Sequence, residues 1–118
     1  MMTQRVIFFA TLAVVWFAAI AFPQTKPGEA ENGKRLYMRN GCYQCHGTVG
    51  QGGRAGPRLA QIKLPVGVFI AFVRNPPSSD MPQYRVKVMS DQELADVYAH
   101  IKSFPAPPAS KSIAILNQ

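Results

Sequence analysis

The chain has only two cysteines among its 118 residues, Cys42 and Cys45. Small secreted domains with little core commonly depend on several disulfides, and two neighbouring thiols cannot form such a framework. Acidic residues are also scarce, with 6 Asp and Glu against 13 Lys and Arg. Only 16% of residues are charged, which excludes the dense basic runs of histone-like tails. So small a domain must therefore be stabilised by something other than disulfides.

The one long apolar run lies near the N-terminus, where Arg5 precedes residues 6–22. A positive start, an apolar middle and the small-x-small triplet at 19–21 are typical of a secretory signal peptide. The run is also close to the shortest length that spans a membrane, so an uncleaved anchor at 5–22, with membrane association, is the alternative. We expect residues 1–21 to direct export, and the rest of the chain to work in the periplasm.

The remaining sequence predicts short helices joined by long irregular segments, without any strand pattern. Residues 29–40 have acids in the first turn and bases near the end, which suits a helix dipole. Ser90 and Glu93 have the spacing of a capping box, and apolar residues follow at helical intervals until about residue 103. Residues 65–73 predict a further short helix, whereas the prolines of 75–82 exclude regular structure. The predicted class is all-α.

Residues 42–46 read Cys-Tyr-Gln-Cys-His, the C-x-x-C-H pattern of covalent c-type haem attachment. Two thiols on one turn can form thioethers with both vinyl groups of a haem, and His46 then offers its imidazole to the iron as proximal ligand. A redox dithiol needs a βαβ context, which the sequence does not predict. A zinc site needs two more Cys or His ligands, but His100 is the only other residue of either type. We therefore expect one haem c, bound through Cys42 and Cys45, to form the centre of the core. Six apolar side chains are candidates to pack on it: Leu59, Leu64, Phe69, Phe72, Leu94 and Val97.

With this motif, the chain resembles the class I c-type cytochromes, the small monohaem electron carriers, over roughly residues 29–105. Gly33 resembles the small residue at which the family's first helix crosses the last, with Tyr98 as the aromatic residue opposite. Gly-Pro-Arg-Leu at 56–59 resembles the segment whose proline carbonyl accepts the proximal histidine's other N–H, which implies that role for Pro57. The resemblance implies the cytochrome c fold, with three to five short helices and long loops around one covalently bound haem.

The pattern Met81-Pro82-x-Tyr84 resembles the family's usual position for the sixth iron ligand. A methionine thioether favours the reduced iron and closes the sixth position, so the resemblance implies Met81 as the distal ligand. Three other side chains are rivals for that position: Met38, Met89 and His100. We expect the two methionines to pack in the core and the histidine to be solvated or hydrogen-bonded. Three polar side chains are candidates for hydrogen bonds to the haem propionates, with plain packing or solvation as the alternative: Tyr84, Arg54 and Arg58.

These patterns predict a periplasmic carrier of single electrons between redox partners, and not an enzyme. Its dispersed positive charge favours brief encounters with partners that have acidic docking surfaces, while no nucleic-acid recognition motif is present. The protein is expected to be a monomer or a subunit of a redox complex. The alternatives are a haem subunit of a dehydrogenase or oxidase, and a haem enzyme or ligand sensor with an open sixth site. We expect a linker at 22–28, the haem domain at 29–105 and a tail at 106–118.

Overall fold

The computed structural model describes residues 26–117, so the expected signal peptide or anchor lies outside the described residues. Within that range the chain forms four α-helices: α1 (Ala30–Arg39), α2 (Cys42–His46), α3 (Val66–Arg74) and α4 (Asp91–Lys102). Two short 3-10 helices follow in the tail, at Ser110–Ser112 and Ala114–Asn117. This part of the chain contains no strand, and the predicted all-α class is confirmed.

None of the four described α-helices has the length and apolarity that crossing a membrane requires.

Local sequence signals set the ends of the longer helices. After α1, Gly41 adopts φ 74°, a conformation that glycine accepts without strain. At the start of α4, the Ser90 hydroxyl accepts from the Glu93 N–H at 3.2 Å, and the Glu93 carboxylate accepts from the Ser90 N–H at 2.7 Å. The capping box is therefore complete. The three helices predicted from sequence are confirmed to within about one residue at each end.

Helices α1 and α4 cross in backbone contact at Gly33. A Cβ placed on Gly33 would lie 1.9 Å from the Asp96 carbonyl oxygen and 2.9 Å from the Val97 nitrogen. Tyr98 was expected opposite this glycine, and the structure corrects that expectation. Its ring instead lies 5.4 Å from that of Phe69 on α3, because residues 96 and 98 point in nearly opposite directions around a helix.

The core beside this crossing is formed by side chains from all parts of the haem domain. The largest fully buried side chains are Tyr37, Met89, Leu94 and Ile101. Met89 thus packs in the core as expected, at 2% exposure. Core packing was also expected of Met38, and this was wrong, since 42% of its surface is exposed. Met38 follows the buried Tyr37 in sequence, so its side chain points about 100° further around α1 and away from α4.

Asp96 lies at the α1–α4 contact with only 5% exposure. Its carboxylate accepts the backbone N–H of Glu29 at 2.8 Å, the side-chain amide of Asn32 at 2.7 Å and that of Gln92 at 3.1 Å. Burial would raise the pKa of Asp96, but these three hydrogen bonds outweigh it and lower the pKa below its ordinary value. Asp96 thus caps the start of α1 from another helix. Sequence reasoning missed this role, because Asp96 lies outside the helical spacing of the apolar residues Leu94, Val97 and Ile101.

Replacing Asp96 by Asn will lower the free energy of unfolding of the holoprotein by about 2 kcal/mol near neutral pH, since an amide cannot accept all three donors. The pKa of Asp96 in the folded protein lies below its ordinary 3.8. The carboxylate's stabilisation is therefore fully present above that value and is lost as pH falls through the lowered pKa. Urea denaturation of both proteins across the acid range should show that the difference between their free energies of unfolding decreases below the ordinary pKa. A stability difference that does not change with pH would contradict the role assigned to the charge of the Asp96 carboxylate.

Candidate haem site

The attachment motif occupies a helix of five residues with a glycine at each end. Gly41 before α2 has φ 74° and Gly47 after it has φ 81°, so both positions favour glycine. Side chains three and four positions apart share one face of a helix, which places Cys45 and His46 on the same side as Cys42. The two thiols are not joined by a disulfide. The local fold therefore presents both thiols and the imidazole together.

His46 is buried and its ring is oriented by the loop that follows α2. Its Nδ1 lies 2.8 Å from the carbonyl oxygen of Pro57. A carbonyl only accepts, so Nδ1 carries the proton and Nε2 keeps its lone pair for a metal. The backbone approaches so closely here that a Cβ on Gly56 would lie 3.0 Å from His46 Nδ1. This is the geometry that the resemblance implied for Pro57.

An apolar cavity of about 380 Å³ opens beside the motif, with Cys42, His46 and Met81 in its wall. A second cavity of about 590 Å³ adjoins it, because His46 and Met81 line both, and it extends to Cys45. Cavities of this size with few polar groups are typical of cofactor sites. All six apolar side chains expected to pack on a haem line the first cavity: Leu59, Leu64, Phe69, Phe72, Leu94 and Val97.

The walls of this cavity fit a large apolar group. Phe72 leaves 47% of its surface exposed and Leu64 leaves 37%, although both line the cavity. Apolar surface of this kind is stabilised when a bound apolar group removes it from water. A haem bound through the two thiols and His46 would cover these side chains and complete the core, so the residues present fit the group.

The side chains considered for the sixth position lie in different places. Met81 is half-buried and lines both cavities, as His46 does. Met89 lines the first cavity alone, and neither Met38 nor His100 is among the residues of either. The methionine ligand implied by the resemblance therefore has a position in the same enclosure as the proximal histidine.

His100 lies in an aromatic cluster on the far side of the core. Its ring is 5.5 Å from that of Tyr37 and 4.7 Å from that of Phe104, edge to face. Burial lowers the pKa of His100, with the nearby positive charge of Lys34 as the second cause, while Glu31 opposes them. The ring contacts supply packing that sequence reasoning did not anticipate, since solvent or a hydrogen bond was expected there.

Two tyrosines place their hydroxyls beside the attachment motif. Tyr84 donates to the carbonyl of Asn40 at 2.8 Å, and Tyr37 donates to that of Gly47 at 2.7 Å. Burial, followed by the proximity of Cys42, raises the pKa of each phenol to about 12, so both remain neutral donors near pH 7. Because Asn40 takes the one proton of Tyr84, a bond from this hydroxyl to a propionate would require an exchange of partners. Sequence reasoning had not given Tyr37 a place at the site.

Burial raises the pKa of the Cys42 thiol, with a smaller opposing effect from the Tyr84 hydroxyl. The two candidate arginines differ in position, since Arg58 lines the first cavity and Arg54 is exposed and lines neither. Their contacts with propionates stay predictions. Among residues 26–117, no three His, Cys, Asp or Glu side chains lie close enough together to hold a metal ion.

This all-α domain presents two thiols and an oriented imidazole beside an apolar cavity. Its fold and site are those of a c-type haem protein. The family described as "Cytochrome C oxidase, cbb3-type, subunit III" has a model that matches residues 28–101. This match covers well over half of the chain, and the chain belongs to that family. Comparison of the sequence with curated proteins and with solved structures found no match. The protein is therefore a c-type cytochrome with covalently bound haem c, and the predicted cytochrome c fold and haem-based electron transfer are confirmed.

Proposed function

We propose that the protein is a periplasmic carrier that transfers single electrons through a haem iron bound by His46 and Met81. The observation that carries this proposal is the position of both side chains in the walls of the same two cavities. A haem with histidine and methionine ligands changes oxidation state with its sixth position closed, which suits a carrier and not an enzyme.

The other residues around the cavity have separate roles in this proposal. Pro57 holds the proton of His46 on Nδ1 through the 2.8 Å contact, which leaves the lone pair of Nε2 free to bind the iron of a haem held there. The aliphatic and aromatic walls exclude water, which favours the less charged, reduced form of the site. Arg54 and Arg58 supply positive charge for the propionates and for partners with acidic docking surfaces.

A second candidate function is that of a haem subunit in a redox complex. The family match favours it, because the name of that family describes a subunit of an oxidase. A permanent subunit would co-purify with its complex at both low and high salt. A carrier that meets its partners through charge would separate from them as salt is raised.

The Met81→Leu and Met89→Leu variants test the ligand assignment, because each removes a sulfur while keeping nearly the same apolar volume. We expect the Met81→Leu holoprotein to lose the weak long-wavelength band that sulfur-to-iron ligation gives the oxidised form. Its reduced form should also bind carbon monoxide at neutral pH. The Met89→Leu protein should keep the band and exclude carbon monoxide, since Met89 packs in the core at 2% exposure.

Optical spectra of the two variants against the wild type decide the matter. Loss of the band in Met89→Leu, with the band kept in Met81→Leu, would show that the distal ligand was wrongly assigned. A wild-type protein that itself binds carbon monoxide readily would instead favour the ligand sensor or haem enzyme.

A further inference from the structure

The segment that carries Met81 leaves α3 after Arg74 and returns to α4 at Ser90. We call residues 75–89 the Met81 segment. It contains prolines at 76, 77 and 82 and no regular helix. Such a segment supplies few hydrogen bonds of its own, so its position beside the cavity must depend on contacts with the rest of the domain.

Arg74 makes two such contacts from the last turn of α3, and a third bond to α4. Its Nη1 donates to the carbonyl of Tyr84 and, at 2.7 Å, to the carbonyl of Met89. Its Nη2 donates to a carboxylate oxygen of Asp91 at 2.5 Å. The Arg74 side chain is only 14% exposed, whereas that of Asp91 is 56% exposed. The guanidinium thus joins α3 to the second half of the Met81 segment and to the first residue of α4.

Tyr84 is the point at which the Met81 segment is attached most firmly. Its N–H donates to Val73 O at 3.3 Å, its carbonyl accepts from Arg74, and its hydroxyl donates to Asn40 O at 2.8 Å. Residues 75–83 therefore form a loop whose two ends are held together at Arg74 and Tyr84. Met81 lies three residues before that closed end, in the wall of the haem cavity.

We propose that Arg74 is a positioning residue that keeps the Met81 segment closed over the iron, and so determines how readily an outside ligand replaces the thioether. This proposal rests on the assignment of Met81 as distal ligand. Several donors in one plane are needed for two carbonyls and a carboxylate at once. Lysine has the charge of arginine without that planar geometry, so Arg74→Lys should restore the charge and not the closure.

The test measures imidazole binding to the oxidised holoprotein by optical titration. We expect Arg74→Gln to raise the affinity for imidazole about tenfold or more, because the closed segment loses charge-assisted hydrogen bonds that compete with its opening. Arg74→Lys should show most of the same increase. Asp91→Asn should show a smaller one, since it leaves both carbonyl contacts of Arg74 in place.

Two control variants separate positioning from general effects. Arg85→Gln removes the same charge from an exposed side chain one residue beyond Tyr84, and should change imidazole affinity less than about twofold. Asp96→Asn lowers stability at the α1–α4 contact, away from the Met81 segment, and should also leave the affinity unchanged. An increase in Asp96→Asn equal to that in Arg74→Gln, or no increase in Arg74→Gln over Arg85→Gln, would overturn the proposal.

The Met81→Leu variant makes failure of this proposal distinct from failure of the ligand assignment. If Met81→Leu binds imidazole tightly while Arg74→Gln matches the wild type, the ligand stands and the role of Arg74 is overturned. If Met81→Leu binds imidazole no better than the wild type, the distal ligand is wrong, and the role proposed for Arg74 falls with it.

Discussion

Replacing both Cys42 and Cys45 by alanine will abolish covalent haem attachment and leave the chain without a stable fold. The apolar side chains around the cavity would bury their surface against a bound haem, and a domain of this size has little other core to offset the entropy of folding. Intact mass after denaturation will lack the mass of one haem, and far-UV circular dichroism will show little helix. This is the largest effect that we expect from any change at the site.

The matched control is Gln44→Ala, an exposed position on the same short helix, which should keep both haem and fold. Haem found on the denatured double variant would show that these thiols are not its attachment points. A well-folded variant without haem would show that the protein does not need the cofactor for its core.

Gly33→Ala will lower the free energy of unfolding of the holoprotein by about 3 kcal/mol or more, the largest effect expected away from the haem. The added methyl group would lie 1.9 Å from the Asp96 carbonyl oxygen, and a backbone atom cannot rotate out of its way. Helices α1 and α4 must therefore separate, which also disturbs the hydrogen bonds that Asp96 makes to α1. Urea denaturation followed by circular dichroism measures the loss.

Gly67→Ala is the control for the effect of alanine itself. Gly67 is also in a helix, α3, but a Cβ placed there meets nothing within 4 Å. That substitution should leave stability unchanged or raise it by up to about 1 kcal/mol, because alanine is the better helix former. Equal losses at the two positions would argue against the close crossing.

The features that could be predicted from sequence are those encoded by neighbouring residues. The Ser90–Glu93 capping box determines where α4 begins, and the C-x-x-C-H pattern contains the attachment points and the proximal ligand in five residues. Gly33 indicated the close helix crossing through its resemblance to the small residue at that position of the family. Each of these signals requires no knowledge of the rest of the chain.

The features that could not be predicted join residues far apart in sequence, often through a backbone acceptor. Asp96 accepts from Glu29 across 67 positions, and no local pattern pairs the two. Arg74 bonds carbonyls of Tyr84 and Met89, and a carbonyl is present at every position, so the sequence cannot mark the chosen ones. Tyr98 was paired with the wrong helix for a related reason, since the sequence does not show which face of α4 meets α1 and which meets α3.

The contact between His46 and Pro57 has a consequence for how this protein can change over evolution. The acceptor is a main-chain oxygen, which no point substitution deletes. Most side chains of the loop can therefore change while the imidazole keeps its proton in place. The glycines are the exceptions, because Gly50 and Gly52 have positive φ and a Cβ on Gly56 would lie 3.0 Å from Nδ1. Insertions and deletions, which surface loops usually tolerate, would instead move the acceptor. The length of this loop and the positions of its glycines are therefore under stronger constraint than the identity of its other side chains.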